Sequence, residues 1–157
     1  MALLSRLHRA SARFRARRLE KFLSLCSVNP NALILDSGGG PEIWAALPVE
    51  GCPRLVYVNL PRAIEPGSHI ANLVFADGRA LPFADRAFEV VFSNSVIEHV
   101  GNAQEQCRFA EEIRRVGRSY WVQTPNRWFP VEQHLLTPLI HWLPRRLQRL
   151  LVPRFTV

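Results

Sequence analysis

The stretch Ala32–Glu42, with the sequence ALILDSGGGPE, decides the fold of this chain. A short apolar run ends at Asp36, and three consecutive glycines follow it, Gly38, Gly39 and Gly40. Because glycine has no Cβ, the backbone can turn tightly there and pass close to a ligand, which the N–H groups of the next helix then face. A strand that opens into such a turn is typical of a cofactor pocket in an α/β protein, although a purely structural loop has the same pattern.

The spacing of the glycines distinguishes two kinds of cofactor turn. The nicotinamide and flavin pattern G-x-G-x-x-G needs a small residue where this chain has Ile43. An acid two residues before the first glycine gives instead the form D-x-G-x-G, formed here by Asp36, Gly38 and Gly40. The spacing therefore disfavours a nicotinamide-dependent oxidoreductase, which is kept as an alternative function.

A second segment, Ala76–Val100, supports the first. It reads ADGRALPFADRAFEVVFSNSVIEHV and resembles the class I S-adenosylmethionine-dependent methyltransferases, in particular a broad bacterial group with the pattern D-x-(L)PF-x-D-x-x-F-D-x-V. The matching residues are Asp77, Leu81, Pro82, Phe83, Asp85, Phe88, Glu89 and Val91. The resemblance covers roughly Leu33–Asn126 and implies S-adenosyl-L-methionine as the cofactor and methyl transfer as the activity.

Alternating strands and crossovers predict an α/β fold with a mainly parallel sheet of about five strands flanked by helices, as in Rossmann-like proteins. The predicted strands are Ala32–Asp36, Leu55–Leu60, Asn72–Ala76, Phe88–Ser93 and Tyr120–Gln123. The predicted helices are one that ends near Ser27, then Pro41–Leu47, Ala103–Val116, Leu135–Trp142 and Arg145–Leu151. The family usually adds a C-terminal antiparallel hairpin, for which this chain is too short. We expect an N-terminal basic amphipathic helix over residues 1–28 and a methyltransferase-like domain over residues 29–157.

The resemblance assigns the cofactor contacts of the first two strand ends. Gly38, Gly39 and Gly40 are expected beside the methionine part of the cofactor. Asp36 is expected either to anchor that turn or to reach the cofactor's amino group through water, and capping of nearby backbone N–H groups is an alternative role. Asn59 stands where the family usually has an acid that grips the ribose hydroxyls, and an amide makes a weaker hydrogen bond than a carboxylate. Leu60 is expected to cover an adenine face.

The contacts after the third and fourth strands are assigned in the same way. Asp77 is expected to read the adenine amino group, with Gly78 supplying a neighbouring backbone N–H; a turn residue is the alternative for Asp77. Ser93 and Asn94 are expected to face the methionine part. Glu42 lies where a third glycine often stands, and the sequence leaves open whether it caps the short helix or repels the cofactor's carboxylate.

Two histidines are candidates for catalysis. Methyl transfer needs mainly an in-line approach of the acceptor with water excluded, but an oxygen or nitrogen acceptor also needs a base. His99, just after the fourth strand, is the first candidate, and a loop histidine bonded to the backbone is its alternative role; His134 is the second candidate. The cysteines are three in number, widely spaced and without a metal pattern, so no metal site is expected.

Charge is concentrated at the two ends of the chain. Of the net charge of +7, +6 falls on residues 1–21 and +4 on residues 145–157, with −3 between them. Apolar residues at helical spacing between the N-terminal arginines suggest a helix that packs on the sheet or in a homodimer, or that contacts an anionic membrane surface; nucleic acid is the least favoured partner. Neither a membrane span nor a cleaved secretion signal is expected, which favours the cytoplasm, with peripheral contact at the inner face of the membrane.

These observations favour methyl transfer to a small-molecule or lipid-like acceptor. A non-catalytic or regulatory protein of the same fold that binds S-adenosyl-L-methionine is the main alternative. The short C-terminus, Asn59 and Glu42 motivate that alternative.

Overall fold

The computed structural model describes residues 17–45, 47, 53–124, 131–132 and 137–138. The chain divides into two compact units, Met1–Gln123 and Thr124–Val157, and each is considered by itself. The first 16 residues, which make up most of the predicted basic N-terminal helix, lie outside the described residues, as does the predicted helix Arg145–Leu151. The division of the chain near residue 28 stays a prediction.

The first unit is built on one parallel sheet. Its strands are β1 (Leu33–Ser37), β2 (Arg54–Asn59), β3 (Leu73–Phe75), β4 (Phe88–Asn94) and β5 (Gly117–Gln123). Its helices are α1, described over residues 17–25, α2 (Pro41–Trp44) and α3 (Ala103–Val116), with 3₁₀ turns at Pro61–Ala63 and Ile97–His99. The strand order is β3-β2-β1-β4-β5 and every pairing is parallel. The predicted parallel sheet of five strands is therefore confirmed.

The sheet carries hydrophobic residues on both faces. Because side chains alternate along a strand, Ile34 and Leu35 of β1 point to opposite layers. One layer combines Leu19 and Phe22 of α1 and Trp44 of α2 with Ala32, Ile34, Tyr57, Val90 and Phe92. The other combines Phe109, Ile113 and Val116 of α3 with Leu35, Val58, Leu81, Phe88 and Val91. The order of the strands reverses between β1 and β4, so their carboxyl ends border a crevice.

Helix α3 has the bounds that the sequence predicts. Its N-cap is Asn102, whose side chain accepts hydrogen bonds from the Gln104 and Glu105 N–H groups, while the Glu105 side chain accepts from the Asn102 N–H. This reciprocal arrangement is a capping box, which satisfies donors that a helix start leaves free. Strand β5 follows directly at Gly117, three residues before the predicted start at Tyr120. The prediction missed these residues because exposed Arg118 and Ser119 give that half of the strand no apolar pattern.

The aromatic contacts of α1 make it part of the sheet's core. Phe22 is 0% exposed and lies edge-on to three rings, with centroid distances of 6.0 Å to Trp44, 4.9 Å to Phe92 and 5.8 Å to Trp121. Helix α1 ends at residue 25, two residues before the predicted end near Ser27. The Val28 N–H donates to Leu23 O (3.0 Å), a hydrogen bond typical of a helix C-terminus.

The second unit contains a two-stranded antiparallel sheet of β6 (Val131–Glu132) and β7 (Thr137–Pro138). The helix predicted over Leu135–Trp142 is therefore wrong at Thr137 and Pro138. Proline lacks a backbone N–H and disfavours helical geometry in the residue before it, which explains the extended conformation.

In the described part of the chain, every helix is too short or too polar to span a bilayer.

Replacement of Phe22 tests whether α1 stabilises the sheet. We expect Phe22→Ala to lower the free energy of unfolding by about 3–5 kcal/mol, because the ring fills a fully buried space between three aromatic side chains. Leu25→Ala, on the same helix and 64% exposed, is the control and is expected to change it by less than about 0.5 kcal/mol. Urea unfolding followed by circular dichroism measures both, and equal effects would contradict the packing role of α1.

Candidate functional site

The carboxyl ends of the parallel strands border a cleft of about 530 Å³. The cleft is lined by residues from the turns after β1, β2 and β3 and from the segment between β4 and α3. Six of the residues singled out from the sequence line it: Gly38, Asn59, Leu60, Asp77, Gly78 and His99. The topology thus brings together residues that are as far apart in the chain as Gly38 and His99.

A second cavity, of about 310 Å³, is lined by other residues of the predicted site. Its lining residues are Asp36, Gly39, Gly40, Glu42, Ile43, Phe92 and Asn94. The glycine turn contributes to both cavities, since Gly38 lines the first one. Ser93 lines neither cavity: it is 0% exposed and its hydroxyl donates to Ser37 O (3.0 Å), which braces β4 against β1.

Two glycines of the turn are required by geometry. Gly38 has a φ of +88°, which L side chains rarely adopt, and a Cβ there would lie 2.6 Å from Val96 Cγ2. A Cβ on Gly39 would collide with both carboxylate oxygens of Asp36. The turn therefore depends on glycine for its conformation at one position and for its close approach to Asp36 at the next.

Asp36 is the most perturbed ionisable group of the site. Its side chain is buried, with 1% of the residue exposed, and Trp44 Nε1 donates to Oδ2 at 2.7 Å. Its Oδ1 has no hydrogen-bond partner among the described residues. Burial raises the pKa of Asp36 to about 7, with a contribution from the negative charge of Glu42, while the hydrogen bond from Trp44 and the nearby Gly39 N–H act in the opposite direction. Asp36 therefore exchanges its proton near neutral pH.

This raised pKa predicts a pH-dependent stability. Between the ordinary pKa of 3.8 and about 7, folded Asp36 holds a proton that the unfolded chain releases, so the free energy of unfolding falls as the pH rises through this range. Asp36→Asn keeps an acceptor for Trp44 but does not titrate. We expect the free energy of unfolding of this variant to fall by a few kcal/mol less over the same pH range, because each unit of pKa shift corresponds to about 1.4 kcal/mol.

Urea unfolding at intervals from pH 4 to pH 8 measures the effect. Asp85→Asn, at a carboxylate whose side chain is 77% exposed, is the matched control and should keep the pH profile of the unaltered chain. Parallel profiles for Asp36→Asn and the unaltered chain would show that Asp36 titrates normally.

Asn59 connects the end of β2 to the glycine turn. Its Nδ2 donates to Gly39 O at 3.3 Å, and its Oδ1 accepts from the Leu60 N–H at 2.9 Å. An ionised carboxylate at this position would have no proton to donate to the Gly39 carbonyl. The departure from the family's usual acid therefore has a structural explanation that the sequence alone does not reveal.

Asp77 is held by its neighbour Arg79. The Arg79 backbone N–H and Nε each donate to Asp77 Oδ1 at 2.9 Å, and Arg79 Nη2 donates to Oδ2 at 2.6 Å. These hydrogen bonds hold the pKa of Asp77 below its usual value. Arg79 also forms an ion pair with Glu105 of α3. The carboxylate expected to read the adenine amino group is thus ionised and oriented before any ligand arrives.

A second arginine, Arg115, anchors the loop that follows these cleft residues. Arg115 Nη2 donates to Leu81 O at 2.9 Å and Nη1 to Phe83 O at 2.7 Å, while Glu112 Oε2 accepts from the Leu81 N–H at 2.6 Å. The hydrogen bond from Arg115 also lowers the pKa of Glu112. Sequence reasoning missed this pair, although an acid and an arginine three residues apart on α3 was the available signal.

Of the two candidate bases, the structure describes His99 and does not describe His134. His99 lies in the 3₁₀ turn Ile97–His99 after β4, lines the larger cleft and is exposed. His134 lies outside the described residues. Within the described ranges, no group of three or more His, Cys, Asp or Glu side chains could hold a metal ion.

Curated relatives match more than half of this chain. An uncharacterized methyltransferase from Mycolicibacterium gilvum (strain PYR-GCK) is 35% identical over 97 residues, which are 56% of this chain and 36% of that protein. One from Mycobacterium sp. (strain KMS) is 35% identical over 94 residues, 54% of this chain and 34% of that protein. The chain thus spans about a third of the length of these curated relatives.

A solved structure shows the same fold. The PH0226 protein from Pyrococcus horikoshii OT3 has a TM-score of 0.53 and 23% sequence identity, and the match covers 66% of this chain and 52% of that one. At this identity the likeness shows the fold alone. The model of the family described as methyltransferase domain matches residues 35–119, more than half of the chain. The turn after β1, the cleft and the anchored loop after β3 all lie in that segment, and the chain belongs to the methyltransferase domain family.

Proposed function

We propose that the chain transfers a methyl group from S-adenosyl-L-methionine to a small-molecule or lipid-like acceptor. One observation carries the proposal: in a member of the methyltransferase domain family, a single cleft gathers Gly38 of the D-x-G-x-G turn after β1 with the polar residues after β2 and β3. This is the crevice in which open α/β sheets bind their ligands.

The described residues fit this cofactor. The cleft of about 530 Å³ falls within the range of about 300–1,000 Å³ that is usual for ligand pockets. Asp36 Oδ1 is a buried acceptor without a partner among the described residues, so it is available to a hydrogen-bond donor on the ligand. A Cβ on Gly39 would collide with the Asp36 carboxylate, so glycine is needed for the turn to lie this close to it. When bound, the cofactor supplies an electrophilic methyl group on a sulfonium.

The chain's own residues bind and orient in this proposal. Asn59 and Leu60 hold the ribose and one adenine face, Asp77 accepts from the adenine amino group, and the glycine turn and Asn94 adjoin the methionine part. His99 is the proposed base, since it lines the same cleft and an imidazole can accept a proton near neutral pH. Ser93 has no direct role because its hydroxyl is buried on Ser37 O.

The proposals about the methyl acceptor and about the location of the protein rest on the sequence. Arginine-rich ends suit contact with an anionic membrane surface. We therefore include in the proposal a cytoplasmic protein with peripheral contact at the inner face of the membrane, and a homodimer as its possible assembly. Nucleic acid is not proposed as a substrate.

A second candidate is a degenerate protein of this fold that binds the cofactor weakly and does not transfer its methyl group. The observation that favours it is the pairing of Asp77 with Arg79, which already occupies both carboxylate oxygens. A cofactor amino group would have to share those acceptors with Arg79, which weakens its binding.

Calorimetric titration tests the proposal. We expect S-adenosyl-L-methionine and S-adenosylhomocysteine to bind with dissociation constants in the micromolar range and NAD not to bind, because the turn lacks the nicotinamide spacing. Failure of a folded protein to bind either sulfur ligand would overturn the proposal, and binding of NAD alone would favour an oxidoreductase. Binding without methylation of any acceptor in a screen with radioactive methyl groups would favour the non-catalytic candidate.

Replacement of Asp77 tests the adenine contact. We expect Asp77→Ala to weaken cofactor binding by roughly 1–3 kcal/mol, because the amino group loses a charged acceptor. Asp85→Ala removes another acid that pairs with an arginine but lies outside both cavities, so the affinity should not change. Unchanged affinity in a folded Asp77→Ala protein would remove Asp77 from the site.

A further inference from the structure

Three charged residues meet at the wall of the larger cleft. Asp77 and Arg79 belong to the turn after β3, and Glu105 lies in the first turn of α3. All three line the cleft, and Arg79 forms ion pairs with both acids. The guanidinium therefore lies between two carboxylates, one of which the proposed function assigns to the adenine amino group.

The backbone of this turn is held at two points. The Ala80 N–H donates to Asp77 O at 2.9 Å, which is the hydrogen bond of a β-turn. Gly78 lies so close to α3 that a Cβ there would be 2.5 Å from Phe109 Cε2. A ligand that enters the cleft therefore displaces the side chain of Arg79 more easily than the turn that carries it.

Arg79 makes two kinds of contact with Asp77. Its backbone N–H donates to Oδ1 at 2.9 Å, a contact that does not depend on the side chain of residue 79. Its guanidinium adds hydrogen bonds from Nε to Oδ1 at 2.9 Å and from Nη2 to Oδ2 at 2.6 Å. Departure of the guanidinium would thus free acceptor positions on Asp77, while the backbone hydrogen bond still orients the carboxylate.

Glu105 gives the guanidinium a second counter-ion. Its Oε1 pairs with Arg79 Nη1, while its Oε2 accepts from the Asn102 N–H at 3.1 Å in the capping box of α3. The capping box holds this carboxylate at the wall of the cleft. Arg79 can therefore leave Asp77 and keep a charged partner, which lowers the free energy that the displacement requires.

Resting on the proposed function, we propose that Arg79 is a specificity-determining residue of the subsite for the cofactor's base. The adenine amino group competes with the guanidinium for Asp77, and Glu105 retains the guanidinium once it is displaced. A base with a carbonyl in place of the amino group offers Asp77 no donor at that position, and the carbonyl accepts from the guanidinium instead. Arg79 therefore reduces the preference of the cleft for adenine over hypoxanthine.

Calorimetry on the full chain tests the competition with two ligands of equal net charge. They are S-adenosylhomocysteine and its deaminated analogue S-inosylhomocysteine, in which a carbonyl replaces the amino group of the base. The variant is Arg79→Met, which keeps an unbranched apolar stem without a donor. We expect it to bind S-adenosylhomocysteine about three- to fivefold more tightly than the unaltered chain does, a modest gain because the competing ion pair is partly exposed. Its affinity for S-inosylhomocysteine should not rise.

Glu105→Gln tests the second counter-ion. Glutamine still accepts from the Asn102 N–H, so the capping box is kept, but it does not neutralise the guanidinium. We expect the affinity for S-adenosylhomocysteine to fall about two- to threefold, because Arg79 then has Asp77 as its charged partner in the cleft wall. The same substitution made in the Arg79→Met protein should leave the affinity unchanged.

Two substitutions on α3 are the matched controls. Arg114→Met and Glu111→Gln make the same changes at exposed residues outside both cavities, and the affinities for both ligands should stay as in the unaltered chain. Circular dichroism shows whether each variant is folded.

The outcomes separate this proposal from the function on which it rests. Unchanged or weaker binding of S-adenosylhomocysteine by folded Arg79→Met would overturn it, because the guanidinium would then not compete for Asp77. An equal gain for both ligands would do the same, since the amino group would not be the competitor. An effect of Glu105→Gln that persists without the Arg79 side chain would overturn the role of Glu105. No binding of S-adenosylhomocysteine by any folded variant would overturn the proposed function itself.

Discussion

The hydrogen bond from Trp44 Nε1 to Asp36 Oδ2 joins the hydrophobic core to the ligand-binding edge of the sheet. Trp44 packs edge-on against Phe22 and Phe92, so the aromatic cluster under α1 determines where the indole N–H points. Asp36 in turn lies directly beneath Gly39, where no side chain fits. The position of the glycine turn, and of both cavities beside it, thus depends on one buried polar contact. This contact requires a buried carboxyl group, and burial opposes the ionisation of that group.

The fold was largely predictable because its signals are local. The apolar run before Asp36 predicts β1, and the reciprocal pairing of Asn102 and Glu105 begins α3 where the pattern places it. The errors lie where local signals are weak or conflicting. The exposed first half of β5 has no apolar alternation, and Pro138 favours an extended conformation at Thr137, where a helix was predicted.

The composition of the site was less predictable than its location. Parallel topology alone explains why residues after β1, β2 and β3 share a cleft. It does not reveal three hydrogen bonds: the one from Asn59 to the glycine turn, the one from Arg79 to Asp77, and the one from the buried Ser93 hydroxyl to Ser37 O. These details depend on side-chain contacts between segments far apart in the chain, and the short motifs contain no information about them. Arg115 is the same case, since its partners are backbone carbonyls of a distant loop.

The strand order has a consequence for biosynthesis. The central strand β1 pairs with β2 on one side and with β4 on the other, and the hydroxyl of Ser93 reaches a carbonyl 56 residues earlier in the chain. Contacts of such long sequence separation form late, because the intervening segment must first lose its conformational freedom. On the ribosome, the apolar residues of α1 and β1 therefore emerge well before β4 exists to cover them. During that interval the nascent chain exposes the apolar residues of β1 to chaperones and to other unfolded chains.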